Sequence, residues 1–410
     1  MCIRDRALRF KRNIPRYAAA KIAGNIMPGS GASFGPIDLI QGESPEAPGK
    51  DWVKVRPRLS GICGSDLATV DGKSARYFEP LVSFPFTPGH EVVGNLDDDS
   101  RVVLEPVLSC TSRNISPLCT PCGAGNIGNC ENVTLGEISS GIQTGSCHDT
   151  GGGWATEFYA HPSQLHSVPD EFSDEAAVMV EPTACGIHAA LAAEIPNDGV
   201  VAVLGSGTLG QVTISALRHF TNPKTIISTA RYPEQKILAA QLGSDIVVSP
   251  EEILRSVRRV CGTKAIANVS EKSPDGRVDR LTGGADVVID CVGSSKSISD
   301  ALSITKPNGR IVLVGMPATV ELELTPLWHR ELQLIGAYTY GTEKLPDGET
   351  ISTFDLAFEL VKTAKLEQLV SACYSLNDYQ EALKHAANAG SRGAFKIVFD
   401  LRDERERNIK

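Results

Sequence analysis

The sequence predicts an α/β protein in which a mostly β domain is joined to a doubly wound parallel sheet of six strands. Three observations support this prediction. The first part of the chain has short apolar runs separated by glycine and proline, which is typical of strands and turns. From about residue 175, strand-like apolar runs alternate with segments of helical spacing. A glycine-rich turn directly follows the first of these runs.

The first run, Val200–Leu204, is continuously apolar and β-branched, as expected for a strand buried on both faces. A helix is predicted from Leu209 to Phe220. Five further strands are predicted at 225–229, 244–249, 285–290, 310–314 and 333–337. Strands at 51–55 and 101–104 are predicted in the mostly β domain. We place the parallel-sheet domain at 188–335 and the mostly β domain at 7–187 and 336–410.

Length and charge exclude several classes of protein. The chain has 410 residues, long enough for two domains, and its 41% hydrophobic and 22% charged residues are typical of a globular protein. A net charge of -9 argues against binding to a phosphate backbone, so no nucleic-acid partner is expected. Since no apolar run approaches the roughly 18 residues of a membrane span, no membrane partner is expected either.

The amino-terminal segment is rich in arginine and lysine but lacks the apolar stretch of a secretory signal. One interpretation is an arginine-rich transit peptide. We favour a first strand followed by a turn, because Asp5 and Pro15 would interrupt an amphipathic helix.

The eleven cysteines are unevenly distributed. Four of them form a close group: Cys110, Cys119, Cys122 and Cys130. In a long chain without a signal peptide, this pattern indicates thiolate metal ligands in a reducing compartment rather than disulfides. A cytoplasmic protein is therefore expected.

The glycine-rich turn has the pattern G-x-G-x-x-G. Its residues are Gly205, Ser206, Gly207, Thr208, Leu209 and Gly210. The turn follows a buried strand and opens a helix, so its backbone can approach a pyrophosphate at the helix amino terminus. A glycine-rich turn without a ligand is the alternative. We interpret it as a dinucleotide site.

The residues after the second strand of the sheet distinguish NAD from NADP. An NAD site usually has an acid there, which binds the ribose 2′-hydroxyl. Here Ala230 leaves space for a 2′-phosphate, and Arg231 offers it a cation. In the alternative interpretation, Arg231 is merely solvated and Glu234 supplies the acid. We favour NADP over NAD.

A cysteine and a histidine lie upstream of the coenzyme turn, in Gly61-Ile62-Cys63-Gly64-Ser65-Asp66 and in Gly89-His90-Glu91. Together with the dinucleotide site, these motifs resemble the zinc-dependent medium-chain alcohol dehydrogenases. The resemblance extends from about residue 7 to about residue 398. It includes the segments 151–154, 181–182, 205–210 and 290–293.

The resemblance implies a GroES-like catalytic domain and a Rossmann domain, in which Val292 and Gly293 add contacts to the coenzyme. It also implies a homodimer or homotetramer whose subunits pair through the sheet edge near residues 333–337. It also implies reversible hydride transfer between NAD(P)⁺ and the hydroxyl of a small alcohol, polyol or sugar.

The resemblance further implies a catalytic zinc ion held by three protein ligands, with one position left for water or substrate. Cys63 and His90 match two of these ligands. The third matches either Cys185 or Glu181, because family members differ on this point, and we favour Cys185. Glu91 resembles a family glutamate that lies behind the metal and can join its ligands.

The four-cysteine group resembles the family's structural zinc lobe, at about residues 105–135. Its last three cysteines keep the family spacing, whereas the gap between Cys110 and Cys119 is longer. Residues 111–118 therefore contain an insertion. A metal-free lobe with four reduced cysteines is the alternative. A zinc ion here would serve stability rather than chemistry.

Two residues beside Cys63 resemble family residues with roles in catalysis. Ser65 matches a hydroxyl that passes on the substrate proton, although a helix-capping serine is the alternative. Asp66 matches a carboxylate that accepts the second ring N–H of His90. Where some members continue the relay with a histidine, this chain has Ala68.

Other functions remain open at this point. One alternative is a zinc-free quinone or enone reductase, which would usually lack both the Cys63/His90 pair and the four cysteines. A second is a non-catalytic NAD(P)-binding redox sensor or scaffold. Nucleic-acid binding by the lobe is disfavoured, because Arg113 is the one cation between residues 111 and 129. The stretch 258–280 has no predicted role.

Overall fold

The computed structural model describes residues 5–42, 45–266, 280–345 and 348–402. The described residues form two compact units. The first contains the chain up to Glu181, residues 340–342 and the chain from Thr350 onward. The second contains residues 182–339 and 343–349.

The secondary structure is given in chain order. The strands are β1 (Asp5–Phe10), β2 (Ile37–Gly42), β3 (Val53–Gly61), β4 (Val92–Asn95), β5 (Arg101–Leu104), β6 (Phe158–Ala160), β7 (Leu165–Ser167), β8 (Val200–Leu204), β9 (Thr225–Thr229), β10 (Ile246–Val248), β11 (Ala265–Ile266), β12 (Arg280–Leu281), β13 (Ala285–Asp290), β14 (Thr305–Leu313), β15 (Gln333–Gly336), β16 (Thr342–Lys344), β17 (Thr350–Ser352), β18 (Val370–Tyr374) and β19 (Lys396–Asp400). The α-helices are α1 (Ile14–Ile26), α2 (Gly31–Phe34), α3 (Gly64–Val70), α4 (Thr120–Gly123), α5 (Asp174–Ala177), α6 (Val180–Ala192), α7 (Thr208–Phe220), α8 (Pro233–Gln241), α9 (Ile253–Val260), α10 (Ser295–Ile304), α11 (Thr325–His329), α12 (Thr353–Ala364) and α13 (Tyr379–Ala387).

The second unit is built on a six-stranded sheet in the order β10-β9-β8-β13-β14-β15, in which every neighbouring pair is parallel. Its central strands are apolar on both faces because helices cover both sides of such a sheet. Val201 and Val203 of β8 are fully buried, as are Val288 and Ile289 of β13. This arrangement confirms the predicted doubly wound sheet.

The first unit is mostly β. Its main sheet has the order β18-β19-β3-β4-β5-β7, with β6 also paired to β3. The pairs from β19 to β7 are antiparallel, and β18 runs parallel to β19. Fully buried Trp154 packs edge-on against Phe399 with 5.2 Å between ring centroids. The pairing of β3 with β4 is what positions the site described below.

The prediction of a turn after the first strand is wrong, because β1 and β2 are separated by the helix α1. Pro15 does not interrupt this helix, since it lies in the first turn, where a backbone N–H has no helical partner. Asn13 caps the helix by accepting a hydrogen bond from the Arg16 N–H at 3.0 Å. Asp5 belongs to β1 and lies outside the helix.

The stretch 258–280 begins at the end of α9 and returns through a two-stranded ladder of β11 and β12, while residues 267–279 lie outside the described part of the chain. Among the helices that are described, none combines the length and the apolar character needed to cross a bilayer.

Candidate active site

Cys63, His90 and Glu91 meet where β3 and β4 run side by side. Cys63 follows the end of β3 and is the residue before α3, and His90 and Glu91 precede β4. The two segments are joined by a hydrogen bond from the Gly61 N–H to the Glu91 carbonyl at 2.8 Å. The potential ligand atoms of the three side chains all lie within 4.8 Å of one another. The structure therefore brings together three residues predicted around the catalytic metal.

The backbone at this position leaves no room for larger residues. Gly89 has a φ of +98°, a conformation that L side chains rarely adopt, and a β-carbon there would press on Trp154. The Trp154 indole donates a hydrogen bond to the Gly61 carbonyl at 3.2 Å. A β-carbon at Gly61 would overlap the Glu91 carboxylate. Close packing of this kind holds His90 and Glu91 in place.

Asp66 links the cysteine and histidine segments. Its carboxylate accepts a hydrogen bond from the Cys63 N–H at 2.9 Å, and its other oxygen lies 3.6 Å from Nδ1 of His90. Asp66 is thus positioned to orient the imidazole so that Nε2 can serve as a ligand. Ser65 lies on the first turn of α3 beside these groups and is half-buried.

The electrostatics of the site favour a cation. Burial lowers the pKa of His90, but Asp66 and the Cys63 thiol outweigh it and raise this pKa well above its ordinary value. The half-buried thiol of Cys63 and the buried imidazole and carboxylate of His90 and Glu91 form a donor set that suits Zn²⁺. These residues therefore fit a zinc ion.

Lys396 is a charged residue of this site that the sequence analysis missed. It lies on β19, is buried, and donates hydrogen bonds to both carboxylate oxygens of Glu91 at 2.7 Å. Burial lowers the pKa of Lys396, but Glu91 and Cys63 raise it overall, so the ammonium stays charged. A lone lysine in an apolar strand was the available signal, and its partner could not be identified without the sheet pairing.

The two candidates for the third ligand lie one turn apart on α6. Glu181 belongs to the first unit and is buried, and it accepts a hydrogen bond from the Tyr340 hydroxyl at 3.0 Å. Burial raises the pKa of Glu181 to about 7, and His90 and Glu91 are close enough to affect it electrostatically. Cys185 belongs to the second unit and is half-buried.

The four cysteines predicted to form a zinc lobe converge. The sulfur atoms of Cys110, Cys119, Cys122 and Cys130 lie within 4.8 Å of one another. Burial raises the pKa of the Cys110 thiol, but hydrogen bonds from the Cys119 N–H at 3.4 Å and the Asn132 amide at 3.3 Å lower it to about 7. Four convergent sulfurs with such donors fit a tetrahedral thiolate site for zinc.

The insertion at 111–118 places Arg113 inside this lobe. Arg113 is fully buried and donates hydrogen bonds to backbone carbonyls on both sides of the loop. The shortest are to Gly141 at 2.6 Å and Leu135 at 2.8 Å. The one cation of the lobe is thus an internal group.

The coenzyme turn has the geometry that its motif requires. Gly205 has a φ of +89°, and a β-carbon at Gly210 would overlap the Gly205 carbonyl. Gly207 faces open space at the start of α7, where a pyrophosphate could approach. The Ser206 hydroxyl donates a hydrogen bond to the Thr229 carbonyl at 2.9 Å, which links the turn to the end of β9. Thr208 and Leu209 form the first turn of α7.

The other predicted coenzyme residues lie at the carboxyl ends of strands in the same unit. Ala230 is buried directly after β9, and Arg231 is exposed. Val292 is 52% exposed after β13. Gly293 has a φ of +71°, and a β-carbon there would press on the backbone of Gly315 after β14. In a doubly wound sheet, this edge is where ligands bind.

Comparisons with known proteins agree with the fold. Residues 49–170 match the family model described as an alcohol dehydrogenase GroES-like domain. Residues 208–355 match the model described as a zinc-binding dehydrogenase. The chain is 29% identical over 366 residues to L-idonate 5-dehydrogenase of Vitis vinifera, covering 85% of this chain and 88% of the relative. It is 28% identical over 365 residues to sorbitol dehydrogenase of Arabidopsis thaliana, with the same coverage of 85% and 88%.

Solved structures share the fold. L-idonate 5-dehydrogenase of Escherichia coli superposes with a TM-score of 0.65 at 20% identity, covering 98% of this chain and 99% of that one. Galactitol-1-phosphate dehydrogenase of Escherichia coli gives 0.67 at 19% identity, with coverage of 96% and 99%. Together the two family models match most of the chain, in the domain order that the fold shows. The chain belongs to the zinc-dependent medium-chain alcohol dehydrogenase family.

Proposed function

We propose that the protein is a zinc-dependent dehydrogenase that transfers a hydride between a hydroxyl of a small polyol or sugar and NADP⁺. The observation that carries the proposal is the convergence of Cys63, His90 and Glu91. The names of the relatives, which include L-idonate 5-dehydrogenase and sorbitol dehydrogenase, favour a polyol or sugar acid as substrate. A zinc-free reductase or a non-catalytic binding protein would have no need of such a ligand cluster.

Cys63, His90 and Glu181 would hold the catalytic zinc, with Glu91 behind it. When bound, zinc acts as a Lewis acid that polarises the substrate oxygen, and the nicotinamide of the coenzyme exchanges the hydride. We prefer Glu181 over Cys185 as the third ligand. Its carboxylate is buried in the same unit as His90, and the charges of His90 and Glu91 both act on it.

The chain's own side chains would orient the ligands and move the proton. Asp66 holds Cys63 and His90 through the contacts described above, and Lys396 balances the buried charge of Glu91. Ser65 would accept the substrate hydroxyl proton during oxidation and return it during reduction. Because Ala68 cannot continue this relay, the proton would leave from Ser65 by a different route.

The test compares Cys63→Ser and His90→Ala with the wild type, using polyols and sugar acids as substrates and reduced nicotinamide absorbance as the signal. Each variant should lose turnover by about a hundredfold or more while coenzyme affinity stays within about threefold. Cys373→Ser and His161→Ala serve as controls, since these residues lie outside the cluster. Wild-type turnover in Cys63→Ser or His90→Ala would refute the mechanism.

A further inference from the structure

The helix α1 presents an apolar face to solvent. Ala20 and Gly24 are its buried residues, whereas Ile14, Ile22 and Ile26 are 75%, 65% and 82% exposed. At about 100° per residue, Ile22 and Ile26 fall on the side opposite Ala20 and Gly24, and Ile14 lies at the edge of that side. The other exposed residues between Ile14 and Ile26 are Pro15, Ala18, Ala19, Lys21 and Asn25, of which only Lys21 is charged. Helices of globular proteins normally turn large apolar side chains inward. In α1, Tyr17 packs against the core in this way, but the three isoleucines do not.

The helix is anchored in this orientation. The buried carboxylate of Asp71 accepts hydrogen bonds from the N–H groups of Gly29 and Gly31, at 2.9 and 3.0 Å, just after the helix. Arg16 makes a bidentate ion pair with Asp38 of β2, with both distances 2.8 Å. Because the Arg16–Asp38 ion pair fixes the start of α1 and the Asp71 hydrogen bonds fix the chain after it, the isoleucines cannot turn inward without breaking these contacts.

The surroundings of the apolar face are basic. Residues 6–37 contain six arginines and lysines and no aspartate or glutamate, in a chain whose net charge is -9. Lys11 and Lys21 are exposed. The neighbouring 3-10 helix Arg76–Leu81 adds exposed Arg76, and it is joined to the start of α1 by the Arg12–Glu79 ion pair at 2.8 Å. The partner of this face should therefore be both apolar and anionic.

A second copy of the chain fits these observations poorly. Pairing two α1 faces would bring like charges together. A helix of this length is also only about 20 Å long and about 10 Å wide, so its face covers roughly 200 Å² against the roughly 800 Å² per partner of a stable interface. An anionic lipid bilayer meets both requirements, because it accepts apolar side chains between its headgroups and attracts lysine and arginine.

We propose that α1 docks the protein on anionic lipid bilayers, with Ile14, Ile22 and Ile26 inserted and Lys11, Lys21 and Arg76 at the headgroups. This function is separate from hydride transfer. The absence of a long apolar run predicts no membrane span, but a helix that lies in the interface needs no such span.

The test is co-sedimentation of the zinc-loaded, full-length protein with large unilamellar vesicles. One set is pure phosphatidylcholine, and in the other about a third of the lipid is phosphatidylglycerol. The variants are Ile22→Glu/Ile26→Glu and Lys11→Glu/Lys21→Glu. Ile237→Glu is the matched control, since Ile237 is 61% exposed but lies on α8 in the second unit. Melting temperatures and light scattering are measured on every variant.

We expect the wild type and Ile237→Glu to bind the anionic vesicles, and each α1 variant to lose about tenfold or more in partition coefficient without loss of folding. Binding should also fall in about 0.5 M salt. The charge-reversal variant keeps the test valid if the isoleucine variant folds poorly. The proposal would be overturned if both α1 variants were folded and bound the anionic vesicles as strongly as the wild type. It would also be overturned if the wild-type protein did not bind them. An oligomer that the α1 substitutions dissociate would assign the face to a protein partner instead.

Discussion

Glu181 and Cys185 lie one turn apart on α6, and each is a candidate for the third zinc ligand. Because the Glu181 carboxylate is buried near His90 and Glu91, we expect Glu181→Gln to lower the zinc content from about two ions per chain to about one. Cys185→Ser should keep both ions. The measurement is metal analysis of the purified proteins. The reverse result would identify Cys185 as the ligand.

The proposed preference for NADP rests on Arg231. It is exposed directly after buried Ala230, at the end of β9. Removing a cation that binds the 2′-phosphate should weaken NADP binding by about tenfold or more, because a hydrogen bond to a charged group contributes about 1.5–3 kcal/mol. Titrations of Arg231→Ala with each coenzyme test this, and NAD affinity should hardly change. Equal losses for NADP and NAD would mean that Arg231 does not contact the phosphate.

Lys396 and Glu91 form a buried ion pair in which each charge compensates the other. Lys396→Met would leave the Glu91 carboxylate buried without its cation, which should lower the free energy of unfolding by about 3–5 kcal/mol. Urea denaturation of the zinc-loaded protein measures this. Adding Glu91→Gln to Lys396→Met should recover part of the loss, since the uncompensated charge is then gone. A single variant as stable as the wild type would show that the pair contributes little.

At the scale of elements, the insertion 111–118 owes its structure to Arg113. The variant Arg113→Met would leave the carbonyls of Leu135 and Gly141 without donors in a buried loop. We expect a loss of about 3 kcal/mol or more in unfolding free energy. Zinc release from the lobe to a chelator should also be faster. Arg218→Met is the control, because Arg218 donates a hydrogen bond to the Gly243 carbonyl at the surface. Its loss should lower the unfolding free energy by less than about 1 kcal/mol. Equal costs would contradict a special role for the buried guanidinium.

At the scale of the whole molecule, the two units have separate cores. The core of the second unit is formed by residues such as Ala202, Ile227, Val288 and Ile311 from its own sheet. Zinc donors of the first unit contribute nothing to it. Removal of zinc by a chelator should therefore abolish turnover and lower the melting temperature, while NADP affinity changes by less than about threefold. Calorimetry and coenzyme titration measure the two effects, and loss of coenzyme binding would show that the units are not independent.

Oligomerisation belongs to the same scale. The expected homodimer or homotetramer uses the sheet edge, and β15 is indeed the last strand of the six-stranded sheet, hydrogen-bonded on one side to β14. The oligomer itself stays a prediction. Light scattering that shows a monomer at micromolar concentration would contradict it.

The local patterns of the sequence determined the fold class and most of the proposed site. A buried strand, a glycine turn and a helix follow one another along the chain, so their signal is local and Gly205, Gly207 and Gly210 could be identified directly. Cys63 and His90 were predicted as ligands because their short motifs, taken together with the dinucleotide site, resemble those of the family. The turn predicted after β1 is absent because Pro15 lies in the first turn of α1, where proline is tolerated.

Only the tertiary structure decided which distant side chains meet. Lys396 reaches Glu91 because β19 pairs with β3 and β3 pairs with β4, and pairings between strands far apart in the chain leave no periodic signal in the sequence. The same holds for Arg113, whose acceptors include the distant carbonyls of Leu135 and Gly141. It also holds for the outward direction of Ile22, which depends on what α1 packs against. Local conformation follows from neighbouring residues, whereas burial and charge pairing depend on contacts that close only when the chain folds.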